Sequence, residues 1–312
     1  MEGADRIIVV KDNKLPAPTE RRVVEARLFI YDILVPCIRM NDDICINFII
    51  PLEPASIQYL MAIAEQAATE AGQAVMNVYL SEEFGTSLKP DESPLTKADK
   101  SSHTIITELL AGIKLPVLSE EGAHIAYSER KNWEYFWLID PLDGTKEFIN
   151  KNDEFTVNIA LMLQHTPIGG VIYAPCRDTL YSGSNATGIY KNERGKRTEF
   201  TPLLKRNQFK YLLEKASVRV VASRSHLSSA TKDLIHRFRD PGLTLLGSSL
   251  KFLELLENRA DIYPRLEPTM EWDTAAAHAI LNASNRGVYQ TSLKSELTYN
   301  KPDLSNPSFI AF

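Results

Sequence analysis

Five apolar residues in succession, Tyr135-Phe136-Trp137-Leu138-Ile139, run directly into Asp140-Pro141-Leu142-Asp143-Gly144-Thr145. An unbroken apolar run ending at a turn suits a strand buried on both faces, which requires a sheet with covering layers on either side. Pro141 stops any helix through the acidic segment, so two carboxylates are left on one tight turn at the end of a strand. Leu142, between them, can add its backbone carbonyl as a further oxygen. Hard divalent cations such as Mg²⁺ take oxygen ligands of this kind, together with water and phosphate. The same segment is also ordinary turn chemistry, with Pro setting φ and Asp capping the next element, so taken alone it leaves both readings open.

The flanking sequence supplies the layers. Ile57, Leu60, Met61, Ala64, Ala67, Ala71, Ala74, Val75 and Val78 recur at three- and four-residue steps behind Ser56, which predicts an amphipathic helix capped by that serine. A loop from Lys89 to Lys100 comes next, then a second helix from Ser101 to Ala111. Downstream of the acidic turn, Phe155 to Leu163, Gly170 to Ala174 after a turn at Thr166 to Gly169, and short strands around Tyr181 and Ile189 read as an antiparallel meander. Lys191 to Lys210 is polar and charged, and reads as a passage between domains. From Val218 onward, strand patterns alternate with helical ones at Ser228 to Phe238, Ser249 to Glu257 and Trp272 to Leu281, which argues for an α/β layer. The expected organisation is an N-terminal extension of uncertain structure (1–52), an α+β domain (53–210) and an α/β domain (211–312) that completes the site.

Charge and cysteines exclude several classes. With 35 Lys and Arg against 40 Asp and Glu, the net charge of −5 has the wrong sign for a chain whose partner is nucleic acid. No apolar stretch approaches the length of a transmembrane helix. Three cysteines without metal-site spacing argue against a disulfide framework or structural zinc, and for a reducing cytoplasm. Cys176 does not sit in a C-x₅-R phosphatase loop, and its expected role is packing at a strand end.

Acidic residues stand at the ends of four predicted elements: Asp99, Glu120-Glu121, Asp140 with Asp143, and Asp273. Each has an ordinary explanation by itself. Asp99 and Asp273 suit helix caps, and Glu120-Glu121 suits a solvated loop. Together, Ser119-Glu120-Glu121, then Trp137 to Thr145 (WLIDPLDGT), then Glu271-Trp272-Asp273-Thr274-Ala275-Ala276 resemble the three signature motifs of the inositol monophosphatase-like, lithium-sensitive, magnesium-dependent phosphatases. The resemblance is closer to their CysQ-type branch, the bacterial 3′(2′),5′-bisphosphate nucleotidases, and extends from about Ser56 to the C-terminus.

That resemblance implies a layered αβαβα sandwich of the inositol monophosphatase/fructose-1,6-bisphosphatase type. It makes Glu120, Asp140, Asp143 and Asp273 side-chain ligands of two or three Mg²⁺ ions, with Leu142 a carbonyl ligand and Asp99 helping to hold a further ion. Thr145 and Glu120 would orient the attacking water, and Gly144-Thr145 would open a helix whose first N–H groups face phosphate. His226, Ser248, Ser249, Lys251 and Arg265 match positions that contact a second phosphate or the nucleoside. A bisphosphate needs such cationic groups, which an inositol monophosphate does not. The implied reaction is hydrolysis of adenosine 3′,5′-bisphosphate to AMP and phosphate, a step in the turnover of a sulfur-assimilation by-product. Inositol monophosphatase activity is the alternative within the class, and a phosphate-binding scaffold without chemistry is the alternative outside it. The implied place is the cytoplasm or the cytoplasmic face of the inner membrane, with monomer and homodimer both open. Asn285-Arg286-Gly287 and the extension 1–52 depart from the family pattern at a turn and at a terminus.

Overall fold

The computed structural model describes residues 52–81, 84–89, 94–225 and 227–312, with the backbone of 37–39 and 45–47. The chain divides into two units, Met1–Tyr59 and Leu60–Phe312. In the first, β1 (Cys37–Arg39) pairs antiparallel with β2 (Cys45–Asn47); the remainder of 1–51 lies outside the described residues.

In the second unit, β3 (Ser87–Leu88) and β4 (Pro94–Leu95) form a small antiparallel pair. A seven-stranded sheet comes after it, from β5 (Val117–Ser119), β6 (Tyr135–Asp143), β7 (Thr156–Leu163) and β8 (Thr166–Ala174) to β9 (Thr179–Ser184), β10 (Gly188–Glu193) and β11 (Lys196–Phe200). Its order is β11-β10-β9-β8-β7-β6-β5. The meander is antiparallel throughout, and β5 joins β6 in parallel. Two neighbouring glycines show how closely the layers approach it. A Cβ on Gly169 would lie 2.4 Å from Met61 Sδ of the helix Pro54–Ser81, and one on Gly170 would lie 2.0 Å from the carbonyl oxygen of Ala276 in the helix Ala275–Ala283. Successive strand residues face opposite sides, so helices cover both faces of the sheet. The apolar run of β6 is accordingly buried along its whole length, each such side chain contributing about 1.5–3 kcal/mol of burial.

A second set of strands lies beyond the helices. It comprises β12 (Val218–Ser223), β13 (Pro241–Leu246), β14 (Tyr263–Arg265), β15 (Thr269–Met270), β16 (Val288–Gln290), β17 (Ser305–Asn306) and β18 (Phe309–Ala311). β12 and β13 are parallel, Val220 bridges Ile262, and β14-β18-β16 continue antiparallel. Helices Leu250–Leu256 and Ala275–Ala283 share one core with Phe136, Leu138 and Ile172 on one side and Val221, Tyr263 and Phe309 on the other. Leu212, Leu234 and Ile235 from two further short helices close the outer face over Val220, Ile262 and Ile310. The layers are those of an αβαβα sandwich.

Several boundaries differ from the sequence reading. The first helix starts at Pro54, where a residue without an N–H costs nothing, so Ser56 is inside it. The second spans Lys97–Ala111 with Thr96 as N-cap, which places Asp99 at its third residue. The turn after β7 is at Gln164 and His165, and Pro167 is in β8, tolerated beside a register shift in the pairing with β7. Lys196–Phe200, inside the segment read as a passage, is an edge strand; its charges are those expected of an unpaired sheet edge. A 3-10 turn, Glu271–Asp273, precedes the helix expected to begin at Trp272.

Candidate active site

β6 does not stop at Ile139. Its pairing with β7 matches Asp140 to Asn158 and Asp143 to Thr156, with a bulge between them that takes Pro141 and Leu142 out of the ladder and leaves the two carboxylates flanking it. Asp140 is 1% exposed and accepts the Leu142 N–H at 3.1 Å. Asp143 Oδ2 is 2.7 Å from Ser249 Oγ and 3.2 Å from Asn158 Nδ2. Gly144 has φ +94° and backs onto the Glu154 carbonyl, so the chain can turn here only without a side chain. The helix Thr145–Ile149 begins at once. Glu120 is brought alongside because its N–H donates to the Ile139 carbonyl at 3.1 Å where β5 ends.

Asp99 caps its helix and also meets a candidate site residue. Its Oδ2 accepts the Thr96 N–H at 2.7 Å as the third residue of a capping box, while Oδ1 accepts the Thr145 hydroxyl at 3.1 Å. The Asp273 carboxylate accepts the Met270 N–H at 2.9 Å, and its own carbonyl accepts the Ser249 hydroxyl at 3.1 Å.

These carboxylates perturb one another. Burial, then the charges of Glu120, Asp143 and Asp273, pushes Asp140 well above the usual carboxylate range. Asp273 is raised in the same way, by burial and then by Asp143 and Glu120. Burial also raises Glu120 despite the ammonium of Lys89, which lies 2.6 Å from Glu120 and 2.5 Å from Glu121. The donors are all oxygens, and their mutual repulsion is relieved by positive charge, which fits a hard divalent cation. Among the described residues no three acidic, His or Cys side chains form a ready ligand shell, so gathering them on an ion requires side-chain rotation.

A cleft of about 210 Å³ is lined by Glu120, Asp143, Thr145 and Asp273, and also by Lys251 and Arg265. Gly144, Ser248 and Lys89 are also part of its wall, while Asp99, Asp140 and Leu142 are buried. Lys251 donates to the Ser248 carbonyl, and burial, partly opposed by Asp143, holds its pKa at about 8. Arg265 is 8% exposed, with Glu267 3.9 Å away. His226 lies outside the described residues. The cleft thus joins an acidic cluster to two buried cations, a pairing suited to a polyanion carried by metal.

The sequence profile of the inositol monophosphatase family matches residues 56–309. The chain belongs to the inositol monophosphatase family. Within it, the 3′(2′),5′-bisphosphate nucleotidase CysQ of Salmonella typhimurium is 39% identical over 247 residues, covering 78% of this chain and 96% of the relative. The crystal structure of CysQ from Bacteroides thetaiotaomicron superposes with a TM-score of 0.69 at 40% identity, over 81% of this chain and 97% of that one. An inositol monophosphatase from Anabaena, at 23% identity and a TM-score of 0.62, covers 82% of this chain and 90% of its own, and shares the fold. No helix among the described residues is long and apolar enough to cross a membrane.

Lys89 is not legible as a site residue from the sequence of this family member. There it is one more charge in a loop before Pro90, and only the fold lays its ammonium between Glu120 and Glu121. The resemblance makes Ser249 a substrate contact; in the structure it is 1% exposed, and its hydroxyl lies between Asp143 and the backbone of Asp273.

Proposed function

We propose that this protein is a magnesium-dependent 3′(2′),5′-bisphosphate nucleotidase that converts adenosine 3′,5′-bisphosphate to AMP and phosphate. The observation that carries the choice is the shared cleft, where buried Lys251 and Arg265 stand with the acidic cluster. Glu120, Asp140, Asp143, Asp273 and the Leu142 carbonyl would hold two Mg²⁺ ions, and Asp99 would help to hold a third. Bound Mg²⁺ supplies charge neutralisation at the phosphoryl and leaving oxygens, and lowers the pKa of the attacking water.

The chain's own groups then act on water and substrate. Because the Thr145 hydroxyl donates to Asp99, its lone pair can take a hydrogen bond from the attacking water, and the proton has a path to the Asp99 carboxylate. Glu120 offers a second acceptor to that water from the opposite segment. Lys251 and the planar fork of Arg265 receive the phosphate that is not cleaved, which orients the ester for in-line attack. This reading assigns the activity to the cytoplasm, as the sparse cysteines suggest.

The test is phosphate release from adenosine 3′,5′-bisphosphate and from inositol 1-phosphate, with Mg²⁺ and then with added Li⁺. A site built to pair a second phosphate should favour the bisphosphate by about 10²-fold or more in kcat/KM. A preference for inositol 1-phosphate reverses the assignment, and release from neither ester leaves a binding scaffold.

A further inference from the structure

One face of the helix Lys97–Ala111 reaches two separate segments of the site at three points. Asp99 receives the Thr145 hydroxyl at 3.1 Å. Ser102, fully buried, donates to the Pro141 carbonyl at 2.6 Å. His103 places Nδ1 2.9 Å from Ser119 Oγ. The spacing i, i+3, i+4 puts all three on one side of a helix.

The targets matter because of what adjoins them. Pro141 lies between Asp140 and Leu142, in the bulge where β6 leaves its register with β7. A buried carbonyl displaced from a ladder needs another donor, and Ser102 provides it. Ser119 immediately precedes Glu120. A single rigid element therefore grips the Asp140–Asp143 turn and the Glu120 segment through neighbours that carry no charge.

We propose that Ser102 and His103 are positioning residues for the bound ions, setting the distance between Glu120 and the Asp140–Asp143 turn. The proposal rests on the reading of those carboxylates as ligands. Neither side chain needs to touch metal or substrate.

The test is isothermal titration of the full chain with Mg²⁺ alone, alongside thermal unfolding in EDTA. Ser284→Ala serves as the control, since it removes a comparable buried bond from a serine hydroxyl to the Leu281 carbonyl, 2.7 Å long, at the far end of another helix. Ser102→Ala and His103→Ala should each bind Mg²⁺ about tenfold more weakly than wild type, while Ser284→Ala lowers Tm in EDTA and leaves Mg²⁺ affinity unchanged. A purely structural serine would give a lower Tm with unchanged affinity, and that result for Ser102→Ala overturns the proposal. If Ser102→Ala does not fold, His103→Ala decides, and wild-type affinity in that variant overturns it equally. No Mg²⁺ binding by wild type overturns the ligand reading and this inference together.

Discussion

Asp140 carries an electrostatic conflict, since a carboxylate 1% exposed faces the charges of Glu120, Asp143 and Asp273. Its folded pKa lies above the unfolded one, so ionisation at pH 7 costs stability whenever no cation is bound, and lowering the pH relieves that cost. Asp140→Asn keeps the shape and can still accept the Leu142 N–H. In EDTA it should gain about 1–2 kcal/mol, seen as a higher Tm, while phosphate release with Mg²⁺ falls by about 10²-fold or more. A lower Tm in EDTA would contradict the electrostatic account. Lys251 behaves in the opposite sense. With its pKa at about 8 it is charged below that pH and neutral above it. If binding follows the charged fraction, KM for a 3′,5′-bisphosphate should rise about tenfold between pH 7 and pH 9. Lys251→Gln should begin with the high KM and lack the rise; a rise of equal size in that variant would assign the titration to another group.

At the scale of elements, the helix Ala275–Ala283 has a second task beyond separating the sheets. His278, 1% exposed, sits with Nδ1 2.9 Å from the Tyr299 hydroxyl and Nε2 3.0 Å from Glu296, and Tyr299 in turn meets Thr274 at 3.2 Å. This chain of contacts ends beside Asp273. Burial, then the charge of Arg206, holds the His278 pKa down at about 3. The unfolded chain takes up that proton near pH 6.5 and the folded chain does not, so stability from this group is full above pH 6.5 and is lost as pH falls. Between pH 7 and pH 5 the loss is about 2 kcal/mol. Urea unfolding of wild type and His278→Gln at both pH values should show the variant losing less by about that amount; equal losses would place His278 in contact with water. The helix Lys97–Ala111 combines two tasks in the same way, with one capping residue, Asp99, that also receives Thr145.

For the whole molecule, the family match beginning at residue 56 separates the body shared with the family from the extension. A chain starting at Glu53 should keep kcat/KM within about twofold, since the family match and every candidate site residue lie after that point; a drop would assign residues 1–52 a part in the fold or the site. Much of this body is readable in order. The apolar run of β6 can be buried only between two covering layers, and the Asp140-Pro141-Leu142-Asp143 turn can be placed only at its end, because periodicity and proline act locally. Local rules fail where an element's partner lies far along the chain. Lys196–Phe200 carries charges because it is the sheet edge, and nothing nearby distinguishes it from a loop. Thr96 takes the capping role that a helix starting at Ser101 would not give it, because Asp99 closes the box from within the helix. The sequence by itself therefore determined the layers and the family and singled out the candidate oxygen donors, all of which depend on residue type and spacing. Tertiary structure alone decided that Lys89 would meet Glu120 and Glu121, that Ser249 would lie between Asp143 and Asp273, and that Ser102 would reach Pro141. Those contacts join segments tens of residues apart, and their distances are set by how helices and sheets pack, which no local pattern records.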